Sequence, residues 1–360
     1  MPDANVEKAH ADFVKCPTCG ANLEFDPETQ TLKCNYCGTE VDFEKNKQVE
    51  EINIENAFAT VEKGDKTTSV YRCQNCGAEV VVNSDEVATE CPFCGTPYVA
   101  KTENLNGIKP NAVYPFLIEQ DKALDIAKKN IKKRFFAPTK FKRNIDAKDV
   151  KGLYYPCFTF DSNTQSTYKG RIGKNKTRTV RDRNGNTRTE SYIEWRTVSG
   201  SLSHFFDDIT ITTSARLPQK ILNKIMPFKA DSICVYEKKF LAGFCANHYE
   251  KDIRTAWKEA KDNIDGQIRS LILNRYDCTV VDYLNVSTIH NGVTYKYVLL
   301  PVWQLSFKYR KKVYGMVLNG NTGKIYGKMP ISPWKVFFTG LISVGIITGI
   351  YFLLKWWGVL

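Results

Sequence analysis

Two stretches decide how the amino-terminal part of this chain folds: Lys15-Cys16-Pro17-Thr18-Cys19-Gly20 and Cys34-Asn35-Tyr36-Cys37-Gly38. They recur as Arg72-Cys73-Gln74-Asn75-Cys76-Gly77 and Cys91-Pro92-Phe93-Cys94-Gly95, and both copies have 14 residues between their cysteine pairs. Zn²⁺ takes four thiolates in a tetrahedron, and two Cys-x2-Cys turns on facing hairpins supply that geometry. The repeat therefore predicts two small β zinc ribbons.

The equal spacers favour local pairing of the ligands over crossed pairing. We therefore expect two zinc ions, one held by Cys16, Cys19, Cys34 and Cys37 and the other by Cys73, Cys76, Cys91 and Cys94. Four thiolates fill the coordination sphere and leave no position for an activated water, so both ions are expected to be structural. The first 13 residues lack the apolar run of a secretory signal, and cysteines in the reducing cytoplasm are better explained as metal ligands than as disulfides.

The carboxyl end carries a different signal. Residues 336–354 are 19 residues without a charge, which span about 28 Å at ~1.5 Å each, close to the ~30 Å hydrocarbon core of a bilayer. Trp334 precedes this run and Trp356 and Trp357 follow it, as expected of side chains that favour the two interfaces. The sequence predicts one transmembrane helix; the alternative is a buried core helix. Basic residues are concentrated before the run, with Lys355 after it, so we expect a single-pass cell-membrane protein whose amino terminus is cytoplasmic.

These signals divide the chain into five segments. We expect a zinc ribbon at 1–47, a linker at 48–66, a second ribbon at 67–104, a mixed α+β cytoplasmic domain at 105–330 and the membrane anchor at 331–360. The α+β fold class is the prediction for the whole chain.

Two helical stripes and several strand-rich stretches support the α+β prediction. The first stripe comprises Leu124, Ala127, Ile131 and Phe135, and the second comprises Ile253, Trp257, Ala260, Ile264, Ile268 and Leu271. Asp252 is placed to cap the second helix. Downstream of the two helices lie Tyr155-Pro156 and Leu300-Pro301, so an alternative is that the domain consists of two related subunits.

Charge is divided unevenly between the two ends. Residues 1–100 carry 8 Lys/Arg and 18 Asp/Glu, whereas the remainder carries 43 and 21. A basic hairpin is predicted at 169–188, around Asn184-Gly185, with eight Lys/Arg and Asp182 as its one acid. It either contacts anionic lipid headgroups or nucleic acid, or it is a solvated edge protected by charge.

Signals for catalysis are weak. The four histidines, His10, His204, His248 and His290, lie in unrelated contexts, and Gly320–Lys324 lacks the spacing of a phosphate-binding loop. Four isolated cysteines are expected to be buried core thiols, namely Cys157, Cys234, Cys245 and Cys278. We therefore expect no catalytic residues, no small-molecule substrate and no enzymatic activity.

Beyond the ribbons, several motifs carry a family resemblance. They are Trp195-Arg196-Thr197-Val198-Ser199-Gly200, Phe206-Asp207-Asp208, Phe240-Leu241-Ala242-Gly243-Phe244, Leu300-Pro301-Val302-Trp303 and Val317-Leu318-Asn319-Gly320-Asn321-Thr322-Gly323. With its ribbons, the chain resembles a bacterial family of membrane proteins that bear transcription-factor-IIB-type zinc ribbons, some of which carry the label helicase or primosomal replication protein N-prime. The helicase label does not fit this chain, which lacks a nucleotide-binding loop and has no room for a motor domain.

The resemblance implies a membrane-anchored adaptor. Such proteins are encoded beside phage-shock-protein-A-like and flotillin-like (SPFH) proteins, which they help to bring to the membrane. We therefore expect a non-enzymatic adaptor that recruits cytoplasmic proteins to the membrane, in a membrane-stress response. The alternative is a nucleic-acid-binding protein of the replication or transcription type. The ribbons oppose this alternative because they carry the acidic charge, and each zinc–thiolate centre adds a formal −2.

Overall fold

A computed structural model describes residues 15–63, 66–72, 79–81, 88–90, 97–99, 103–106, 108–143, 150–181, 187–247, 249–309 and 312–357. For residues 60–106 this description covers the backbone alone. The second set of predicted zinc ligands, Cys73, Cys76, Cys91 and Cys94, lies outside the described residues, as do His10, His248 and Asn184-Gly185.

The described elements confirm a mixed α+β chain. The strands are β1 (Glu24–Phe25), β2 (Leu32–Lys33), β3 (Glu40–Val41), β4 (Ile52–Asn53), β5 (Lys66–Arg72), β6 (Glu79–Val81), β7 (Ala88–Glu90), β8 (Pro97–Val99), β9 (Glu103–Asn106), β10 (Ala112–Val113), β11 (Val150–Arg181), β12 (Thr187–Thr212), β13 (Cys234–Val235), β14 (Cys245–Asn247), β15 (Val280–Tyr309), β16 (Lys312–Asn319) and β17 (Ile325–Gly327). The helices are α1 (Ile54–Lys63), α2 (Gln120–Lys133), α3 (Thr139–Arg143), α4 (Gln219–Ile225), α5 (Ile253–Leu273) and α6 (Pro333–Trp356), with 3-10 turns at Ala230–Ser232 and Lys238–Leu241.

A 12-stranded sheet is built around the antiparallel pair β11 and β15. Each of these two strands has the same kinds of neighbour. β10 runs parallel to β15, with Val113 opposite Leu299, and β14 runs parallel to β11, with Ala246 opposite Tyr154. β11 then pairs antiparallel with β12, as β15 does with β16. The order strand, helix, long strand, strand thus occurs twice, as β10-α2-β11-β12 and β14-α5-β15-β16. The boundaries of the five segments into which the sequence divides the chain stay predictions.

The predicted face of α2 is correct for three of its four residues. Leu124, Ala127 and Ile131 are buried. Phe135 is not, and its assignment to the buried stripe is wrong. The helix ends at Lys133, and Arg134 has extended backbone torsions of φ −78° and ψ 100°, so the helical periodicity stops before Phe135.

The second predicted helix, α5, lies against the outer half of the long strands. Asp252 caps it as predicted, since its side chain accepts a hydrogen bond from the N–H of Thr255 at 2.6 Å. Its buried residues include Ile253, Ala260, Ile264 and Ile268. The last turns pack on apolar side chains of β11, β12 and β15, namely Tyr168, Leu202, Phe206 and Leu284.

The long strands β11 and β15 fix the distance between the two ends of the α+β unit, a name we use for β10 to β17 together with α2 to α5. β11 has 32 residues, or about 100 Å at ~3.3 Å each. At its start Val150 lies opposite Leu305, near the β15–β16 hairpin, and at its far end Arg181 lies opposite Thr187. The predicted basic hairpin is therefore at the opposite end of β11 from the β15–β16 hairpin.

The segment predicted to be a linker, 48–66, contains packed structure. β4 pairs with β15, with Ile52 opposite Tyr295, and α1 follows directly. Ile54 and Ala57 of α1 are buried in the main core. The described part of this segment is therefore held against the α+β unit over β4 and α1.

Candidate metal centre

The first cysteine repeat forms two matching turns. Gly20 donates a backbone hydrogen bond to the carbonyl of Cys16, and Gly38 donates one to the carbonyl of Cys34, both at 2.9 Å. The two glycines have φ values of +74° and +77°, a region that other residues adopt at a cost. The glycine after each cysteine pair is thus required by the backbone of the turn.

The turns bring four thiols together. Cys16 Sγ lies 3.5 Å from Cys37 Sγ, and Cys19 Sγ lies 3.5 Å from Cys34 Sγ. All four sulfurs lie within 4.8 Å of one another. A tetrahedral zinc ion with ~2.3 Å bonds needs sulfurs about 3.8 Å apart. The four thiols can therefore hold a metal ion, and this donor set is the one that zinc prefers.

The electrostatics of the four thiols also favour a bound cation. Burial opposes the Cys16 thiolate, but backbone hydrogen bonds from Cys19 and Thr18 outweigh burial and lower the pKa of Cys16 to about 6. A backbone hydrogen bond from Ala21 favours the Cys19 thiolate, but the sulfurs of Cys37, Cys34 and Cys16 together raise the pKa of Cys19 to about 12. The Cys16 thiol therefore ionises readily, whereas the Cys19 thiol resists ionisation beside the other sulfurs. A bound divalent ion would favour the ionised form of all four thiols, because its charge stabilises every coordinated thiolate.

An aromatic cluster joins this centre to the α+β unit. The rings of Phe25, Phe43 and Phe240 lie with centroids 5.3 to 6.2 Å apart. Phe25 and Phe240 are buried, and Cys16 and Cys34 belong to the same core. The sequence does not predict this cluster, since no local pattern relates Phe25 to Phe240, more than 200 positions away.

A second group of carboxylates, Asp161, Asp207 and Asp208, has the composition of a metal site. However, the ammonium group of Lys296 lies 2.9 Å from an Asp208 oxygen and 3.4 Å from an Asp161 oxygen, and it also lies 3.0 Å from Glu51. A cation of the protein thus already lies against two of these three acids, Asp161 and Asp208. We assign Lys296, Asp161, Asp208 and Glu51 as a charge network centred on two buried side chains, those of Lys296 and Asp161.

Buried charge shifts the ionisation of this network. Burial raises the pKa of Asp161 to about 6, against the opposing effects of the Asp208 backbone and Lys296. Burial alone would lower the pKa of Lys296, but Asp208, Asp161 and Glu51 outweigh it and raise that pKa above its ordinary value. The ammonium group therefore stays charged at any physiological pH.

The other cysteines and the described histidines do not join the centre. Cys157 and Cys234 are buried, as expected, and Cys278 is half-buried. Cys245 is exposed, so its assignment as a buried core thiol is wrong; it lies at the start of β14, in a groove of about 460 Å³ that Glu24 and Trp303 also line. His290 lies beside Ser162 and Trp257, away from the cysteines.

The predicted basic hairpin is balanced by acids that its own sequence window does not contain. Five of its basic residues form ion pairs with carboxylates of β12, of β15 or of the segment before β15: Arg171 with Asp282, Lys174 with Asp277, Lys176 with Glu194, and both Arg178 and Arg188 with Glu190. These exposed pairs contribute little to stability, but they reduce the positive potential of the hairpin. This finding favours the solvated edge among the three interpretations.

At the carboxyl end, α6 has 24 residues, and in the described part of the chain it is the one helix long and apolar enough to cross a membrane. None of its described side chains is buried. The structure therefore defines an α+β chain with a four-thiol centre near one end and an uncovered apolar helix at the other.

The chain is similar in sequence to a bacterial protein. The chain is 29% identical over 340 residues to the uncharacterized protein YdjG of Bacillus subtilis (strain 168), and the aligned region covers 91% of this chain and 93% of that protein. No protein-family model matches the chain, and no solved structure matches it significantly.

Proposed function

We propose that this chain is a non-enzymatic, membrane-anchored zinc-ribbon adaptor that recruits cytoplasmic proteins to the membrane. The observation that carries the proposal is that one packed unit holds a four-thiol centre near its amino end and an uncovered apolar helix at its carboxyl end. The first feature is typical of structural zinc modules, and the second is typical of a membrane span.

The length of α6 and the hydrogen bonds within it support the proposal that this helix lies in a lipid bilayer. At ~1.5 Å per residue its 24 residues extend about 36 Å, enough for the ~30 Å core of a bilayer. Its three aliphatic hydroxyls, on Thr339, Ser343 and Thr348, each donate a hydrogen bond to the carbonyl four residues earlier, at 2.6 to 2.8 Å. These polar groups are therefore satisfied without water, as a lipid environment requires.

The exposed tip of the zinc ribbon supports protein recognition. Tyr36 lies between two of the cysteines and is 85% exposed. It stands in the acidic part of the chain, where approach to a phosphate backbone is unfavourable but approach to a basic protein surface is favourable. Tyrosine is also enriched at protein interfaces. We propose that the ribbon contacts a partner, and the family resemblance makes SPFH/flotillin-like and phage-shock-protein-A-like proteins the first to test.

The experiment is an affinity capture of the full chain from detergent-solubilised membranes. Wild type is compared with Tyr36→Ser and with Cys34→Ser/Cys37→Ser, and Phe205→Ser is the control because Phe205 is exposed on the distant sheet. We expect the first two variants to lose a partner that wild type and the control retain. Equal recovery of all partners by the four proteins would show that the ribbon is an inert spacer.

Nucleic-acid binding is the second candidate, and one observation favours it. Arg171 lies 5.0 Å from the ring centroid of Trp195, and Arg178 lies 5.7 Å from that of Tyr192, on an exposed face of β11 and β12. Exposed rings beside arginines can stack on bases. Salt-dependent binding of single-stranded DNA or RNA by the full chain, lost in Tyr192→Ser/Trp195→Ser, would support this candidate.

A further inference from the structure

Two phenylalanines are exposed at the end of α2. Phe135 is 61% exposed and Phe136 is 44% exposed, and their ring centroids are 5.3 Å apart. On both sides the chain is buried, at Ile131 and Ala137, so the two rings are held at the surface by a packed backbone. Adjacent exposed rings on an ordered segment mark a surface with a partner more often than single apolar residues do.

The start of α6 is bonded to this same loop. The N–H of Ser332 donates a hydrogen bond to the carbonyl of Phe136 at 2.8 Å. The ammonium group of Lys335 donates to the carbonyls of Phe135 and Ala137 at 3.1 and 2.9 Å, and it lies 5.8 Å from the Phe135 ring centroid. The two rings are therefore fixed beside the point at which α6 leaves the α+β unit.

The residues around the two rings carry a large positive charge. Residues 128–143, which we name the basic-aromatic segment, contain eight Lys/Arg and no Asp/Glu. Its exposed basic side chains include Lys132, Lys133, Arg134 and Lys140. In the part of the chain that the structure describes, none of these four forms an ion pair with a carboxylate. The basic hairpin of β11 and β12 differs, because five of its basic side chains are paired with acids.

We infer that the basic-aromatic segment is a second membrane contact, in which Phe135 and Phe136 enter the interface of the cytoplasmic leaflet and the surrounding Lys and Arg side chains bind anionic headgroups. This inference rests on the proposed membrane span of α6. The attachment of α6 to the loop brings the segment to the bilayer, and the unpaired positive charge selects anionic lipid. Aromatic rings favour the headgroup level, where one part of the ring is apolar and another is wet.

The contact also orients the unit. Phe141 of α3 packs against Tyr309 and Tyr314 of the β15–β16 hairpin, with ring centroids 5.6 and 6.1 Å away. The β15–β16 end of the sheet is therefore the membrane-proximal end. The loop that joins β11 to β12 is at the other end of a strand of about 100 Å, where it is available to cytoplasmic partners.

The test uses the full chain, reconstituted in lipid nanodiscs with or without about 30% phosphatidylglycerol, an anionic lipid. A photo-crosslinking phenylalanine analogue replaces Phe135 or Phe136. The same probe at Ile347, in the middle of α6, reports the span itself. The probe at Phe205 is the control, because this side chain is 53% exposed on β12, in a part of the sheet away from the β15–β16 hairpin. Adducts are identified by mass spectrometry.

We expect lipid adducts at Phe135, Phe136 and Ile347 in anionic nanodiscs, and none at Phe205. Adding Lys132→Glu/Lys133→Glu should reduce the adducts at Phe136 by at least about fivefold, because each basic residue near an anionic surface strengthens the contact and two are reversed here. The matched change Lys258→Glu/Lys261→Glu, at exposed positions of α5, should leave them unchanged.

Three results overturn the inference. If Ile347 forms lipid adducts but Phe135 and Phe136 do not, the span stands and the second contact is refuted. If the two phenylalanines form adducts with protein instead of lipid, the segment is a protein interface. If Ile347 also fails to label lipid, the membrane span of the proposed function is itself refuted, and the second contact is refuted with it.

Discussion

The backbone N–H of Phe25 donates a hydrogen bond to the carbonyl oxygen of Ala242 at 3.0 Å. This bond joins β1, in the predicted zinc ribbon, to the segment that precedes β14, beside the cluster of Phe25, Phe43 and Phe240. The four-thiol centre is thus part of the packed core of the α+β unit. Changes at the ribbon and at the core should therefore affect each other.

Phe240→Ala tests this coupling. Phe240 is fully buried, so the truncation leaves a cavity and should lower the free energy of unfolding by about 3–5 kcal/mol. It should also weaken zinc retention in a competition with a chelator, because the ribbon loses the surface on which it packs. Phe205→Ala, at an exposed site, should change stability by less than about 0.5 kcal/mol. A destabilised variant with unchanged zinc retention would mean that the ribbon folds independently.

The glycines of the chain offer a matched pair of substitutions. A Cβ at Gly20 or at Gly266 meets no atom within 4 Å, so neither alanine substitution is hindered by a contact. Gly20 has φ +74°, and Gly20→Ala should cost about 1–2 kcal/mol in backbone strain. Gly266 is inside α5, and Gly266→Ala should stabilise the protein by about 0.5–1 kcal/mol. Chemical denaturation of the zinc-loaded protein measures both, and equal shifts of the same sign would contradict the backbone argument.

The sequence predicts the features of this chain that depend on local spacing. Two cysteine pairs and their glycines specify the four-thiol centre, because each turn closes within six residues. The apolar face of α5 and its cap at Asp252 follow from helical periodicity in the same way. Where the periodicity ends, the prediction fails: Phe135 continues the apolar stripe in sequence but lies beyond the end of α2.

Features that join distant parts of the chain could not be predicted. The contact between Phe25 and Phe240 depends on how the ribbon packs, and no short window contains both residues. Residues 169–188 alone predict a strongly basic hairpin, yet its counter-charges include Asp277 and Asp282, which sheet pairing brings beside it. The network around Lys296 likewise takes its acids from three separate segments, at Glu51, Asp161 and Asp208.

Lys296→Met should destabilise the protein in a pH-dependent way. The side chain of Asp161 is 2% exposed, so removal of the ammonium group leaves a buried charge without its partner. We expect a loss of about 3–5 kcal/mol at pH 7.5, measured by chemical denaturation. Lys258→Met, at an exposed position of α5, is the control and should change stability by less than about 0.5 kcal/mol.

The sign of the pH dependence follows from the pKa of Asp161. Burial raises this pKa in the folded state to about 6, above the ordinary value of 3.8. The folded state then binds a proton more readily than the unfolded state, so the contribution of this carboxyl to stability is fully present below pH 3.8 and is lost as the pH rises through about 6. Without Lys296 the pKa should rise further, and the loss in Lys296→Met should be smaller at pH 5 than at pH 7.5. A loss that is equal at both values would show that Asp161 does not depend on Lys296.

Zinc content tests the two predicted sites separately. The purified full chain should contain two zinc ions, measured by elemental mass spectrometry. Cys16→Ser/Cys37→Ser should reduce the content to one, since each site needs four thiolates. Cys73→Ser/Cys76→Ser should do the same at the second predicted site, and Cys245→Ser, an exposed cysteine outside both sets, should leave two. A content of one in the unchanged protein, or no change with Cys73→Ser/Cys76→Ser, would contradict the two-site prediction.

Deletion of residues 334–360 tests the role of α6 as the principal anchor. The full chain should remain with membranes at any salt concentration, because burial of an apolar helix in lipid is not screened by ions. The truncated chain retains the basic-aromatic segment, so it should bind anionic vesicles at low salt and dissociate at about 0.5 M salt, where the screening length is only a few ångströms. Sedimentation of vesicles with each protein measures the difference. If the truncated chain still sediments fully at high salt, α6 is not the principal anchor.

The orientation of the chain in the membrane can be measured at Cys245, whose thiol is exposed. This thiol should react with a membrane-impermeant maleimide in opened cells but not in intact ones, because the α+β unit is expected in the cytoplasm. If Cys245 reacts in intact cells, the α+β unit is outside the cytoplasm.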